Sequence, residues 1–105
     1  MFILTVYTLA SKPYGSIYIG VTSNMVERLY QHEIGTGSKH TAKYKIRTLV
    51  WMEHFETMAE AIQREKTMKH WYRQWKIDLV TKHNPNWYPI DAGTGEFIIE
   101  DGRDP

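Results

Sequence analysis

Five residues of this chain combine a chemically useful type with a suggestive spacing: Tyr7, Tyr18, Arg28, His32 and Glu65. Glu65 stands out most. The stripe Ala61, Glu65, Met68, Tyr72, Trp75, Leu79 advances in steps of four and three, as one face of a helix does. Every other member is apolar or aromatic. A carboxylate on a packing face costs free energy unless a cation or a set of hydrogen bonds compensates it. The alternative is that Glu65 lies at the edge of the stripe, paired with a Lys or Arg. Arg28 and His32, four residues apart, share a helix face one turn apart. A hairpin in which positions summing to 25 lie opposite each other sets Tyr7 against Tyr18 as a cross-strand aromatic pair, which serves either packing or a site.

Other chemistries are excluded or weak. There is no cysteine, so disulfides, cysteine zinc sites and thiol nucleophiles are ruled out. His32, His40, His54, His70 and His83 never fall at a spacing that puts two ligands on one helix turn. Lys39, Lys43, Lys45 and Arg47, interleaved with Tyr44, form a basic run. With Lys66, Lys69, Arg73 and Lys76 they are the residues that could face phosphates.

The elements that must position these groups can be read in outline. Residues 2–9 are β-branched and aromatic, as a strand requires, and 16–21 return after the Pro13 and Gly15 turn. Thr22, Ser23 and Asn24 can cap a helix whose Met25, Val26, Leu29 and Tyr30 face a core. Gly35 and Gly37 end it, and 46–53 read as a third strand. Thr57 to Glu60 fits a capping box, from which one helix carries the stripe to Leu79. A turn-rich segment, Asn84 to Pro89, follows. On this reading Trp51, Trp71, Trp75 and Trp87 belong to the core, although an exposed set would mark a contact site.

With 105 residues, 42% hydrophobic and 24% charged, the chain suits one domain. No apolar run approaches the roughly 20 residues that span a bilayer, and the expectation is a cytoplasmic protein with no membrane partner. The net charge of +1 is unevenly spread. Residues 1–83 carry twelve Lys/Arg against seven Asp/Glu, whereas 84–105 carry one against five. This suits a domain over 1–90 and an acidic extension over 91–105, in which Phe97, Ile98 and Ile99 add an edge strand or stay mobile. The extension could shield a basic face.

Taken in order, these residues resemble the GIY-YIG nuclease superfamily. Thr5-Val6-Tyr7 stands where the family has Gly-Ile-Tyr, and Tyr18-Ile19-Gly20 is a literal match to the second motif. Arg28 and His32 then fall on a helix, and Glu65 follows in Ala61-Ile62-Gln63-Arg64-Glu65-Lys66. The stretch from Val6 to about Tyr88 looks like the small stand-alone branch of that superfamily. The resemblance implies a small α/β sandwich, a three-stranded mainly antiparallel sheet flanked by helices. It also implies a metal-dependent endonuclease acting on DNA, on branched, damaged or flapped structures such as repair or recombination presents. Glu65 would hold a single Mg²⁺ or Mn²⁺ ion and Tyr7 would activate water. Tyr18 would orient the water or phosphate, Arg28 would grip the phosphate, and His32 would bond phosphate or tune Tyr7. Lys39, Lys43, Lys45, Arg47, Lys66 and Lys69 would bind the nucleic acid. A binding module of the same fold without cleavage is the alternative, and a monomer is the expected state. Asn84 is a loose candidate for the family's late, site-ordering Asn.

Overall fold

Thr5 to Ala10 are buried without interruption, which marks their strand as the one covered on both faces. In the computed structural model, which describes residues 3–99, this strand is β1, Leu4–Ala10. It lies between β2, Ile17–Thr22, and β3, Thr48–Phe55, in the order β2-β1-β3 with both pairings antiparallel. Four helices cover the sheet: α1, Met25–Glu33; α2, Lys39–Tyr44; α3, Met58–Lys69; and α4, Arg73–His83. The expected small α/β architecture is therefore present.

The two faces of β1 belong to two cores. Tyr7 and Leu9 pack with Met25, Ile46, Leu49 and Ile90 beneath α1 and the C-terminal loop. Val6 and Ala10 pack with Ile19, Val50, Trp51, Ala61, Met68, Val80 and Trp87 beneath α3 and α4. A bulge at Val50 lets Thr8 face Trp51 while Leu9 faces Leu49.

Three expectations are corrected. First, Tyr7 lies opposite Gly20, and Tyr18 lies opposite Leu9. The turn is centred between Pro13 and Tyr14, closed by the Gly15 N–H donating to the Lys12 carbonyl at 2.9 Å, with Tyr14 at φ 60°. That centre moves the register by two residues, so both tyrosines keep one face. Second, Val26 and Tyr30 are 58% and 59% exposed. The inward face of α1 is instead Met25, Leu29 and His32, because His32 has polar partners that draw it inside.

Third, the long helix is two helices. His70 caps α3, and Tyr72 turns to extended backbone at φ −58°, ψ 147° before α4 begins. An unbroken helix from 58 to 83 would be about 39 Å long, well past strands of about 23 Å. The break brings Val80 back onto the sheet and leaves Tyr72 and Trp75 outside, so Trp75 is not a core residue. Trp51 and Trp87 are core, as expected, and Trp71 packs at its margin.

Asn84 closes this second core. Its side-chain N–H groups donate to the Val50 carbonyl at 3.0 Å and the Tyr88 carbonyl at 2.9 Å, and its oxygen accepts from the Tyr88 N–H. It is buried and bonded to β3 and to the Tyr88 backbone, so it braces the end of α4 against β3. Beyond it, Ile90 donates to the Leu49 carbonyl and bridges Phe97. Asn84→Ala leaves several buried partners unpaired and should cost roughly 3 kcal/mol in urea unfolding; a change below about 0.5 kcal/mol would contradict this bracing role.

Candidate active site

The site begins with a close approach of backbone to ring. Gly20, opposite Tyr7, has no Cβ, and one placed there would sit 2.5 Å from Cζ of Tyr7. The phenol therefore lies flat across β2 and reaches α1. There its oxygen meets Nε2 of His32 at 3.0 Å, while Nδ1 of His32 meets the Thr41 hydroxyl at 3.0 Å. Tyr7, His32 and Thr41 are all buried. Gly37 makes the matching allowance on the far side, where a Cβ would meet the imidazole 2.5 Å from Nδ1.

The network assigns the tautomer. The Thr41 hydroxyl has the Ser38 carbonyl as an acceptor at 3.2 Å. If it donates there, Nδ1–H donates to Thr41 and the bare Nε2 accepts from the Tyr7 hydroxyl. Every donor is then used. The opposite tautomer leaves the buried Tyr7 hydroxyl without an acceptor among the described residues, which costs about 1–3 kcal/mol. Burial, and then the adjacent Arg28 cation, push the His32 pKa down, so the ring is neutral near pH 7. Burial pushes the Tyr7 phenol up to about 12. Arg28 opposes that shift, and Tyr18 and Glu65 add to it. Tyr7 is thus a neutral hydrogen-bond donor at rest.

The other predicted residues gather around this pair. The Tyr18 ring centroid stands 6.3 Å from that of Tyr7 and 5.5 Å from that of His32. Arg28 projects from α1 into an open depression shared with Thr22, Asn24, Glu27 and Gln31, and it donates to Gln31 at 3.1 Å. Glu65, on α3, is half-buried with Oε2 3.1 Å from Nζ of Lys69. The cation that the stripe called for is therefore Lys69, whose ammonium also stands 5.7 Å from the Tyr18 ring centroid. The pair spans one turn of α3, with the Lys69 side chain 44% exposed and that of Glu65 only 16% exposed. No group of three His, Asp or Glu side chains arranged to hold a metal is found among the described residues. A single protein carboxylate, with waters and phosphate oxygens in the other positions, is a common way for Mg²⁺ to be held.

The basic residues flank the cluster on two sides. Lys39, Lys43, Lys45 and Arg47 are exposed on and after α2, which is tied to the site through Thr41. Lys66 and Lys69 are exposed on the last turn of α3. Lys45 takes a left-handed φ of 56°, after which Ile46 enters the core and donates to the Thr41 carbonyl. Sequence reasoning missed Thr41 as the second partner of His32, and it missed α2 altogether. A six-residue helix has little periodicity, although Ser38 is an ordinary N-cap accepting from the Thr41 N–H.

Two outcomes follow. Gly20→Ala forces the Tyr7 ring from His32 and should lower stability by about 1–3 kcal/mol, read as a lower thermal midpoint; an unchanged midpoint would contradict the close approach. The lowered His32 pKa has a definite sign. The unfolded chain takes up this proton near pH 6.5 and the folded protein only below that. Stability is lost as pH falls through that window, and urea midpoints at about pH 5 and about pH 7.5 should differ more in the wild type than in His32→Gln. Equal differences would rule out the neutral buried ring.

Comparison with known proteins agrees with the geometry. The model of the family described as the GIY-YIG catalytic domain matches residues 4–78. A UPF0213 protein of Staphylococcus saprophyticus is 35% identical over 68 residues, 65% of this chain and 83% of its own length. The corresponding protein of Staphylococcus haemolyticus is 35% identical over 65 residues, 62% of this chain and 79% of its own. One from Staphylococcus aureus is 36% identical over 66 residues, 63% and 80% respectively. No solved structure matches. The family match starts with β1 and ends inside α4, so it spans every element that supplies a residue of this cluster, and the chain belongs to the GIY-YIG catalytic domain family, for which nuclease-type chemistry is implied.

Proposed function

We propose that this protein is a metal-dependent endonuclease that hydrolyses DNA phosphodiester bonds. The observation that carries the reading is the buried Tyr7–His32 hydrogen bond, whose phenol feels the charges of both Arg28 and Glu65. A phenol held at a pKa of about 12 is a poor base alone. Bonded to a neutral imidazole, it can pass its proton to Nε2 as it takes one from water. The proton ends on His32, whose opposite N–H stays on Thr41. The hydroxide bonds to phosphorus as the scissile P–O bond breaks, the departing alkoxide takes a proton from solvent water, and His32 then returns its proton to solvent. Positioned proton transfer of this kind contributes about 10²–10⁴-fold.

Arg28 supplies a planar set of donors for phosphate oxygens and for the charge that grows in the transition state. Tyr18 orients the water or the phosphate. Glu65 is the side chain that would hold a Mg²⁺ or Mn²⁺ ion. Such an ion, when bound, adds positive charge beside the phosphate. Lys39, Lys43, Lys45 and Arg47 on one flank, with Lys66 and Lys69 on the other, take the backbone of the nucleic acid. A surface this small makes few base contacts, which favours recognition of DNA structure over a long sequence. Branched or damaged DNA of the kind met in repair fits that description. The half-buried Glu65–Lys69 pair also suits the alternative, a nucleic-acid-binding module of the same fold with negligible turnover.

Labelled duplex, single-stranded, flapped and branched DNA, incubated with Mg²⁺ or Mn²⁺ or with chelator, separates the two. The endonuclease gives products only with metal. Tyr7→Phe should lose about 10²–10⁴-fold in rate, and Glu65→Ala should lose metal-dependent product altogether. Undiminished turnover in Glu65→Ala would remove its metal role. Salt-sensitive binding by both proteins with no product from any substrate would establish the binding module.

A further inference from the structure

The break between α3 and α4 leaves aromatic surface that neither core uses. Tyr72 is 73% exposed and Trp75 52% exposed. Their rings meet edge to face, with centroids 4.9 Å apart at 83°. Trp71, packed at the margin of the core, stands 6.5 Å behind Trp75 and carries the Arg64 guanidinium at 5.3 Å from its centroid. These rings are mounted firmly. Arg73 donates to the Tyr14 and Gly15 carbonyls at 2.9 and 2.7 Å, fastening the start of α4 to the β1–β2 turn. Lys76 donates to the Lys69 carbonyl at 3.3 Å, fastening it to the end of α3.

The surroundings are cationic. Residues 64–76 hold five Lys/Arg and a single acid, Glu65. Lys69 belongs to both regions, since it pairs with Glu65, stands over Tyr18 and lies three residues before Tyr72. Exposed aromatic faces among cations match the chemistry of an unpaired nucleotide, whose base stacks and whose phosphate is anionic. A duplex hides its base faces in the stack and offers no such partner. An apolar protein surface would leave the excess of cations unmatched.

We propose that Tyr72 and Trp75 form a stacking platform for an unpaired nucleotide of the substrate, with Lys66, Lys69 and Lys76 taking the adjoining phosphates. The proposal rests on the nuclease reading and narrows its substrate class to DNA that carries unpaired nucleotides.

The test reads binding, not cleavage. Fluorescein-labelled oligothymidylate and a duplex of equal length are titrated with metal-free protein in chelator, and anisotropy is followed. Trp75→Ala should weaken oligothymidylate binding about tenfold, the scale of one lost base–aromatic stack, and duplex binding by less than about twofold. Trp75→Phe should stay within about threefold of wild type for oligothymidylate, because a phenyl ring still stacks. The site is exposed, so neither change empties a core, and a thermal midpoint checks that both variants fold. Equal binding of oligothymidylate by wild type and Trp75→Ala would overturn the platform. Equal weakening on both DNAs would overturn it too, as would wild-type protein that prefers the duplex. Sedimentation in which Trp75→Ala abolishes self-association while DNA binding is unchanged would reassign the patch to contacts between copies. Because the titration runs in chelator and reads binding alone, its outcome does not depend on whether the protein cleaves, which keeps the two readings apart.

Discussion

The Tyr7–His32–Thr41 hydrogen-bond chain is the constraint around which the rest of the structure is arranged. Three polar groups are buried together, and each would cost about 1–3 kcal/mol if left without a partner. They are satisfied only when β1, α1 and α2 close on one another. Closure in turn demands bare backbone at Gly20 and Gly37, the two places where a side chain would occupy the same space as a ring. The left-handed turn at Lys45, which costs of order 1 kcal/mol, is the means by which α2 reaches this position and still delivers Ile46 to the core.

Electrostatics follows from that burial. Removing Tyr7 and His32 from water disfavours both the phenolate and the imidazolium, so the resting pair is neutral. A neutral pair can relay a proton, whereas a fixed phenolate would repel the phosphate it must approach. Arg28 and Glu65 stand at the edge of this pair, where they act on its charge without neutralising it directly. Lys69 pairs with Glu65 and stands over the Tyr18 ring, which ties the cationic end of α3 to the site. The second core, braced by Asn84, holds α3 and α4 against the sheet, and α3 carries Glu65.

Much of this was legible in the residues, and the losses have definite causes. The strands and the Thr57 cap follow from local preferences, and the N–H of Glu60 does donate to Thr57. Glu65 was visible because a carboxylate interrupted an apolar stripe. The hairpin register was misread by two residues because the turn centre depends on Tyr14 taking a positive φ, which tyrosine rarely does. The α3–α4 break contains no Gly or Pro, and the sheet's limited length decides it. The burial of His32 is not legible from its place on the helix, because it depends on Tyr7 and Thr41 in other elements. Trp75 continued the helical stripe and yet lies outside, since the stripe ceases to be one face once the helix breaks.

The central claim is that a neutral His32 with a bare Nε2 accepts the Tyr7 proton. Long-range ¹H–¹⁵N correlation of the histidine ring nitrogens near neutral pH tests it most directly. The account predicts a ring protonated at Nδ1 alone, with Nε2 shifting in Tyr7→Phe and a second proton gained only below about pH 6.5. A ring protonated at Nε2, or already an imidazolium at neutral pH, would contradict it.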